Sequence, residues 1–372
     1  MHCHLSVAGR LFDRWRPLAP LWRAAYLNDE RAIQSWLTWR GNNPLASQPG
    51  YLPSVLGNLR RLGYKDADFG FLEHLEEEFW SHLELIERGG ERALGHLHQQ
   101  GIPTLRLKGA AMVKSYYRES GSRWMADFDI LVPRHDAARA LDALASQGWV
   151  SDHDLPLSQM LTHHSQGHRH PDHPGYRIDL HWHALSECRW PGSDEAVWSR
   201  SRDGLLDPAD HLVVLCCNAA RDNSRSPWLL DASAILERTG EQLDWSVVIS
   251  ESRARRVEIP VAAALAFLGS ELGLPVSRAL DEAPSAWCDG VYFWSQMHAS
   301  PLAMLAETWC DFLRTDRPGW RWWRILDFLQ ERWGVSGPLP LGAELLRRAR
   351  RRLVRNRPAD FPSKAIQSVA SG

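Results

Sequence analysis

Three features of this sequence predict an α+β fold in which one mixed-sheet domain is flanked by N-terminal and C-terminal helical regions. Apolar residues recur at helical spacing through the first hundred positions and again from Asp207 onward. Between them the period changes to two, and short runs of alternating polar and apolar residues take over. At 372 residues the chain is long enough for more than one core. The expected layout is a helical region over 1–100, a sheet domain over 101–190, a helical region over 191–357 and a tail over 358–372.

Residues 10–40 read as helix, with Leu21, Ala24, Ala25, Ile33, Trp36 and Leu37 at helical positions, until GNNPLASQPGYLP breaks the pattern. Gly70 to about Gln100 gives one or two amphipathic helices, with Gly89-Gly90 as an interruption and Gly101 as the stop. GIPTLRLKG then sets Ile102, Leu105 and Leu107 in an extended run, and AAMVKSYY after Gly109 reads as a helix. A strand is expected at about 125–132, a helix at 134–148, and further strands at 149–153, 161–169 and 176–183. Past Asp207, helical pieces are separated by SRSPW, GLPVS, DEAPSA and DRPGW. The tryptophan-rich run 319–329 reads as an amphipathic helix, and the arginine run 347–357 as a solvated helix face.

Composition excludes several functions. Lys+Arg 43 nearly balances Asp+Glu 45, a net charge of -2, so the chain lacks the charge of a protein that coats nucleic acid. Its six cysteines form no C-x-x-C pair, which argues against a disulfide framework or a thiolate zinc site and suits a reducing cytoplasm. No run of eighteen apolar residues occurs and the first twenty residues hold no apolar signal core, so neither a membrane span nor export is expected.

The chemistry gathers in RWMADFDILVP, residues 123–133. In a strand, Asp127 and Asp129 share one face while Phe128, Ile130 and Val132 share the other. Two carboxylates held that close repel unless a cation lies between them. YRIDLHWHAL supplies a third: Arg177, Asp179, His181 and His183 alternate with Ile178, Leu180 and Trp182. Three carboxylates on adjacent strands suit hard divalent cations, with Mg²⁺ preferred where phosphates complete the octahedron. The chemistry this implies is phosphoryl or nucleotidyl transfer.

LKGAAMVKSYY, RWMADFDILV, the helix ARALDALASQGW and IDLHWHAL, in that order, resemble the nucleotidyltransferase-like family, divergent members of the DNA polymerase β and minimal nucleotidyltransferase superfamily. The resemblance runs on through HLVVLCCNAARDNSRSPWLLDASAIL and LDWSVVI, covering roughly residues 90–275. It implies that Asp127, Asp129 and Asp179 hold metal, two Mg²⁺ ions in the expected case, and that Asp179 also activates the acceptor. It further implies that Lys108, Gly109 and Arg123 bind the triphosphate of a nucleotide, ATP foremost, with Lys114 as a further phosphate ligand. The wider superfamily has Gly-Ser or Gly-Gly where this chain has Gly109-Ala110, so phosphate binding falls to the backbone and these cations. The implied activity is transfer of a nucleoside monophosphate to an acceptor hydroxyl on a peptide, a sugar or a small metabolite. The alternative is a non-catalytic nucleotide-binding module.

Eight of the 17 histidines fall between 153 and 183, which raises a zinc reading, but no cysteine joins them before Cys188. His181 and His183 are read instead as lining the acceptor side of the cleft, with structural packing as the alternative. His211 and Asp231, on later helices, read as a buried polar pair.

Overall fold

The sheet is built around two neighbouring strands, one buried along its whole length and the other buried except at its first and third residues. In a computed structural model, which describes residues 11–117 except 12, 123–153, 163–221, 227–276, 287–314 except 297 and 299, and 325–354, five strands form: β1 (Leu105–Arg106), β2 (Phe128–Leu131), β3 (Val150–Ser151), β4 (Ser165–Arg169) and β5 (Arg177–His181). Their order across the sheet is β1-β2-β5-β4-β3. Only β2 and β5 run parallel, and their register sets Asp129 opposite Asp179 and Leu131 opposite His181. The α+β class expected from the sequence holds, with shorter strands than the alternation suggested.

Alternation divides the sheet's two faces between two cores. Phe128, Ile130, Val132, Ile178, Leu180 and Trp182 pack behind it with Leu83, Ile86, Leu94 and Leu97 of the helix Phe69–Gln99 and with Leu144 of the helix Ala137–Ser146. In front, Leu107, Met112 and Leu131 join a larger core that takes in both the N-terminal and the C-terminal helices. Trp15 and Trp22 meet Phe267 edge-on at 5.5 and 5.2 Å, so the first helices pack directly on the helix Glu258–Leu272. The two helical regions, far apart in sequence, share one core in front of the carboxylates.

Several elements differ from the sequence reading. The single helix expected over 10–40 is broken: a short turn Arg16–Leu18 leads into the helices Ala19–Tyr26 and Glu30–Asn42. The break falls where Asp29 caps the second helix by accepting from the Arg31 N–H at 2.9 Å. A helix that the sequence reading omitted, Leu52–Arg61, follows the GNNPLASQPG break with Pro53 in its first turn, where proline costs no hydrogen bond. Gly89 and Gly90 do not interrupt the helix Phe69–Gln99, which runs through them. They let the sheet approach: a Cβ at Gly90 would lie 2.1 Å from Phe128 Cγ, and one at Gly89 would lie 2.8 Å from Tyr176 Cγ. The helix Pro338–Val354 carries the start of the arginine run, and residues 319–324 and 355–372 lie outside the described residues. No helix among the described residues is long and apolar enough to cross a membrane.

Candidate metal centre

Asp129 and Asp179 reach the same space because they are register partners on parallel strands and project from one face of the sheet. His181 follows on β5, and ligand atoms of these three side chains lie within 4.8 Å of one another, the one such metal-ligating group among the described residues. Asp129 is 3% exposed and His181 0%. Asp127 stands just before β2, partly buried and close enough for its charge to be felt at Lys108.

His181 bridges the two carboxylates, and Lys108 lies against Asp129. The Lys108 ammonium donates to Asp129 Oδ1 at 2.6 Å, and the His181 Nε2–H donates to the same oxygen at 2.9 Å and to Asp179 Oδ2 at 3.0 Å. The two nitrogens are 3.3 Å apart. Ser165 Oγ donates to Asp179 Oδ2 at 3.1 Å from β4. Lys108 opens the helix Lys108–Ser115 with φ 45°, a left-handed backbone that favours glycine and is held here by a residue whose long side chain is buried.

The electrostatics follow from this arrangement. Burial works to raise the Asp129 carboxyl, but Lys108 and His181 outweigh it and hold the group below its usual range. Asp179 is likewise held far below that range, because His181, Lys108 and His164 overcome its burial. Burial and Lys108 push His181 down, yet its two carboxylate partners leave it raised. Asp127 goes the other way: burial, then repulsion from Asp129 and Asp179, pushes it up to about 7.

The donor set fits a hard divalent cation. Carboxylate oxygens from neighbouring strands converge on one small space, and two N–H donors, the Lys108 ammonium and the His181 imidazole, already point into it. The buried His181 Nδ1 has no hydrogen-bond partner, which suits an imidazole whose proton sits on Nε2, between the carboxylates.

The remaining sequence-predicted residues lie elsewhere. Arg123 is 2% exposed, and its guanidinium forms a buried ion pair with Asp231, Nη2 to Oδ2 at 2.6 Å, while stacking 5.2 Å over Trp228. Burial lowers its pKa and Asp231 more than restores it. Tyr117 donates to Asp231 Oδ1 at 2.8 Å, so Asp231 pairs with Arg123 and Tyr117, while the buried His211 Nε2 has no hydrogen-bond partner. Gly109 packs under Met125, whose Cγ would be 2.5 Å from an added Cβ. Lys114 is exposed on the same helix. His183 turns away from His181: its Nδ1–H donates to Asp194 at 3.1 Å, beside a cavity of 410 Å³ lined by Pro103, Pro133, Trp182 and Trp198. The histidines near β4 and β5 also go to separate partners, His168 to the Gln166 carbonyl and His170 to the Gln147 carbonyl, and form no zinc cluster among the described residues.

One residue that sequence reasoning missed is Arg221, which ends the helix Pro208–Arg221. After burial, its charge is the next cause holding His164 well below its ordinary value, and it also opposes the Lys108 charge, so its field reaches the cluster, while its guanidinium donates to Asn218 Oδ1 at 2.5 Å and to Ser186 Oγ. An arginine at a helix end carries no periodic signal that would single it out.

The model of a family described as uncharacterised nucleotidyltransferase matches residues 45–272. No curated protein and no solved structure matches the chain at a significant level.

Proposed function

Because the chain belongs to this uncharacterised nucleotidyltransferase family, we propose that it transfers a nucleoside monophosphate from a Mg²⁺-bound nucleoside triphosphate, ATP foremost, to an acceptor hydroxyl. The observation that carries the proposal is that ligand atoms of Asp129, Asp179 and His181, set on two parallel strands, lie within 4.8 Å of one another. When bound there, a divalent cation neutralises the triphosphate and lowers the acceptor's pKa. Asp127, Asp129 and Asp179 of the sheet domain hold it. Arg221, exposed Lys114 and the N-terminal amides of the helix Lys108–Ser115 bind phosphate oxygens from the front of the sheet. Asp179, kept ionised by His181 and Lys108, orients the acceptor. The acceptor oxygen attacks the α-phosphorus, the bond to the β-bridging oxygen breaks, pyrophosphate leaves, and the acceptor proton passes to Asp179 or to water. A peptide side chain, a sugar or a small metabolite fits this chemistry equally.

The buried Arg123 pair supports a structural part for that residue, which holds the segment before β2 against the helix Trp228–Thr239. One observation favours a second reading, a nucleotide-binding module without turnover: Ala110 follows Gly109, so no hydroxyl is present there to hold phosphate. Pyrophosphate release and thermal stabilisation, measured together with Mg·ATP and candidate acceptors, separate the two. Release that Asp129→Asn abolishes while the protein stays folded is the expected result. Stabilisation without release would favour the module, and release unchanged in Asp129→Asn would refute the metal assignment.

A further inference from the structure

We propose that Lys108 is a built-in counter-cation that takes the place of one of the two metal ions, so that the site binds a single divalent cation. The proposal rests on the nucleotidyltransferase reading above and revises the ion count expected from the sequence.

The argument is one of position and charge. A pair of metal ions in such sites stands about 3.5–4 Å apart, bridged by carboxylates. Here the Lys108 ammonium already sits 2.6 Å from Asp129 Oδ1, inside the space that a second ion would need. It is not a surface lysine that has folded inward. The residue is 8% exposed, its backbone takes a left-handed turn at φ 45°, and the helix Lys108–Ser115 starts at that position, which aims the side chain into the cluster. With a lysine inside, three carboxylates and one divalent cation come to zero net charge, so a second divalent cation would find no uncompensated protein carboxylate and would have to be held by the nucleotide's phosphates alone, beside an ammonium. The ammonium repels a second divalent cation at that position by the same Coulomb interaction that now binds it to Asp129.

The location also gives Lys108 a functional part that a plain ion pair would lack. Its charge is covalently fixed, so it remains beside Asp129 when the metal leaves, while His181 bridges Asp129 to Asp179. A divalent ion can then be exchanged with each nucleotide without the sheet splaying at Asp129 and Asp179.

Mn²⁺ provides the test, because two Mn²⁺ ions at bridging distance couple their spins, and electron paramagnetic resonance tells a coupled pair from an isolated ion. The full chain is loaded with Mn²⁺ and a non-hydrolysable ATP analogue, as wild type, Lys108→Met, Lys108→Gln and Asp129→Asn. One isolated Mn²⁺ per wild-type chain and a coupled pair in Lys108→Met or Lys108→Gln are expected. A coupled pair in the wild type overturns the proposal while leaving the nucleotidyltransferase reading intact, and this arm needs no variant to fold. One isolated ion in both the wild type and a folded Lys108 variant also overturns it, because Lys108 would then not be what limits the count. Mn²⁺ binding that is absent or identical in wild type and Asp129→Asn overturns the proposal and the metal centre together.

Discussion

Arg123→Met would test whether the arginine before β2 holds the fold or the nucleotide. Its guanidinium makes two hydrogen bonds to Asp231, at 2.6 and 3.3 Å, and side-chain exposures of 2% and 0% leave water little access to either partner. Methionine keeps much of the side-chain volume and removes the charge, so Asp231 is left buried with the Tyr117 hydroxyl at 2.8 Å as its partner. Breaking one side of a buried pair costs about 3–5 kcal/mol, far above the ~1 kcal/mol ceiling of an exposed pair. At roughly 2–4 °C per kcal/mol the melting temperature should fall by on the order of 10 °C. Adding Asp231→Asn should recover most of that loss, because the uncompensated charge and not the missing packing dominates the cost. Urea unfolding followed by tryptophan fluorescence, which senses Trp228 directly beneath the guanidinium, measures all three variants. A loss under about 1 kcal/mol in Arg123→Met, or a double variant as unstable as the sum of the singles, would refute the buried-pair account. A loss confined to nucleotide affinity would return Arg123 to the triphosphate.

Three further outcomes are expected. Gly90→Ala should lower stability by about 1–3 kcal/mol, because the new methyl meets the Phe128 ring, whereas Gly95→Ala, with nothing within 4 Å, should be neutral or stabilising; equal effects on melting temperature would contradict the close-approach argument. His211 is buried and pushed down to about 4, below its unfolded value near 6.5, so the unfolded chain binds its proton first and stability falls as pH drops through that window. Relative to His211→Gln, the wild type should lose up to about 3 kcal/mol between pH 7 and pH 4, and a pH-independent difference between the two would refute this. Asp179→Ala should keep Mg·ATP binding by calorimetry and lose roughly 10²-fold or more in turnover; normal turnover would remove Asp179 from the site.

The carboxylates were legible in the sequence because alternation is a local property. Asp129 and Asp179 each sit within a run of hydrocarbon whose period of two assigns them a face, and the parallel pairing brings those faces together. Their counter-ions were not legible. Lys108 reaches Asp129 across 21 positions and His181 across 73, and Arg123 finds Asp231 across 108, separations that only packing resolves. Lys108 and Arg123 were read as triphosphate ligands, and the carboxylates each is buried against, Asp129 and Asp231, came into view only with the packing. Gly89-Gly90 misled for a related reason. Two glycines in a helical pattern mark either a break or a close approach, and what decides between them, the Phe128 and Tyr176 rings, comes from strands far along the chain. The helix Leu52–Arg61 was hidden by its own proline and glycine, which sequence reading counts as breakers wherever they stand.

The helix Phe69–Gln99 joins halves of the molecule that look separable in sequence. Its 31 residues make a rod about 46 Å long. Leu72 and Leu75 at one end belong to the core in front of the sheet, and Leu83 through Leu97 belong to the core behind it. Residues before position 101 thus supply one wall of the sheet's own interior. A fragment that begins at 101 would emerge with that wall missing and a greasy back face open to water, prone to clump before it could be assayed. One that begins at 69 would keep the wall but expose Leu72 and Leu75, so dissecting this protein calls for trimming at the far helices rather than for a cut beside the sheet.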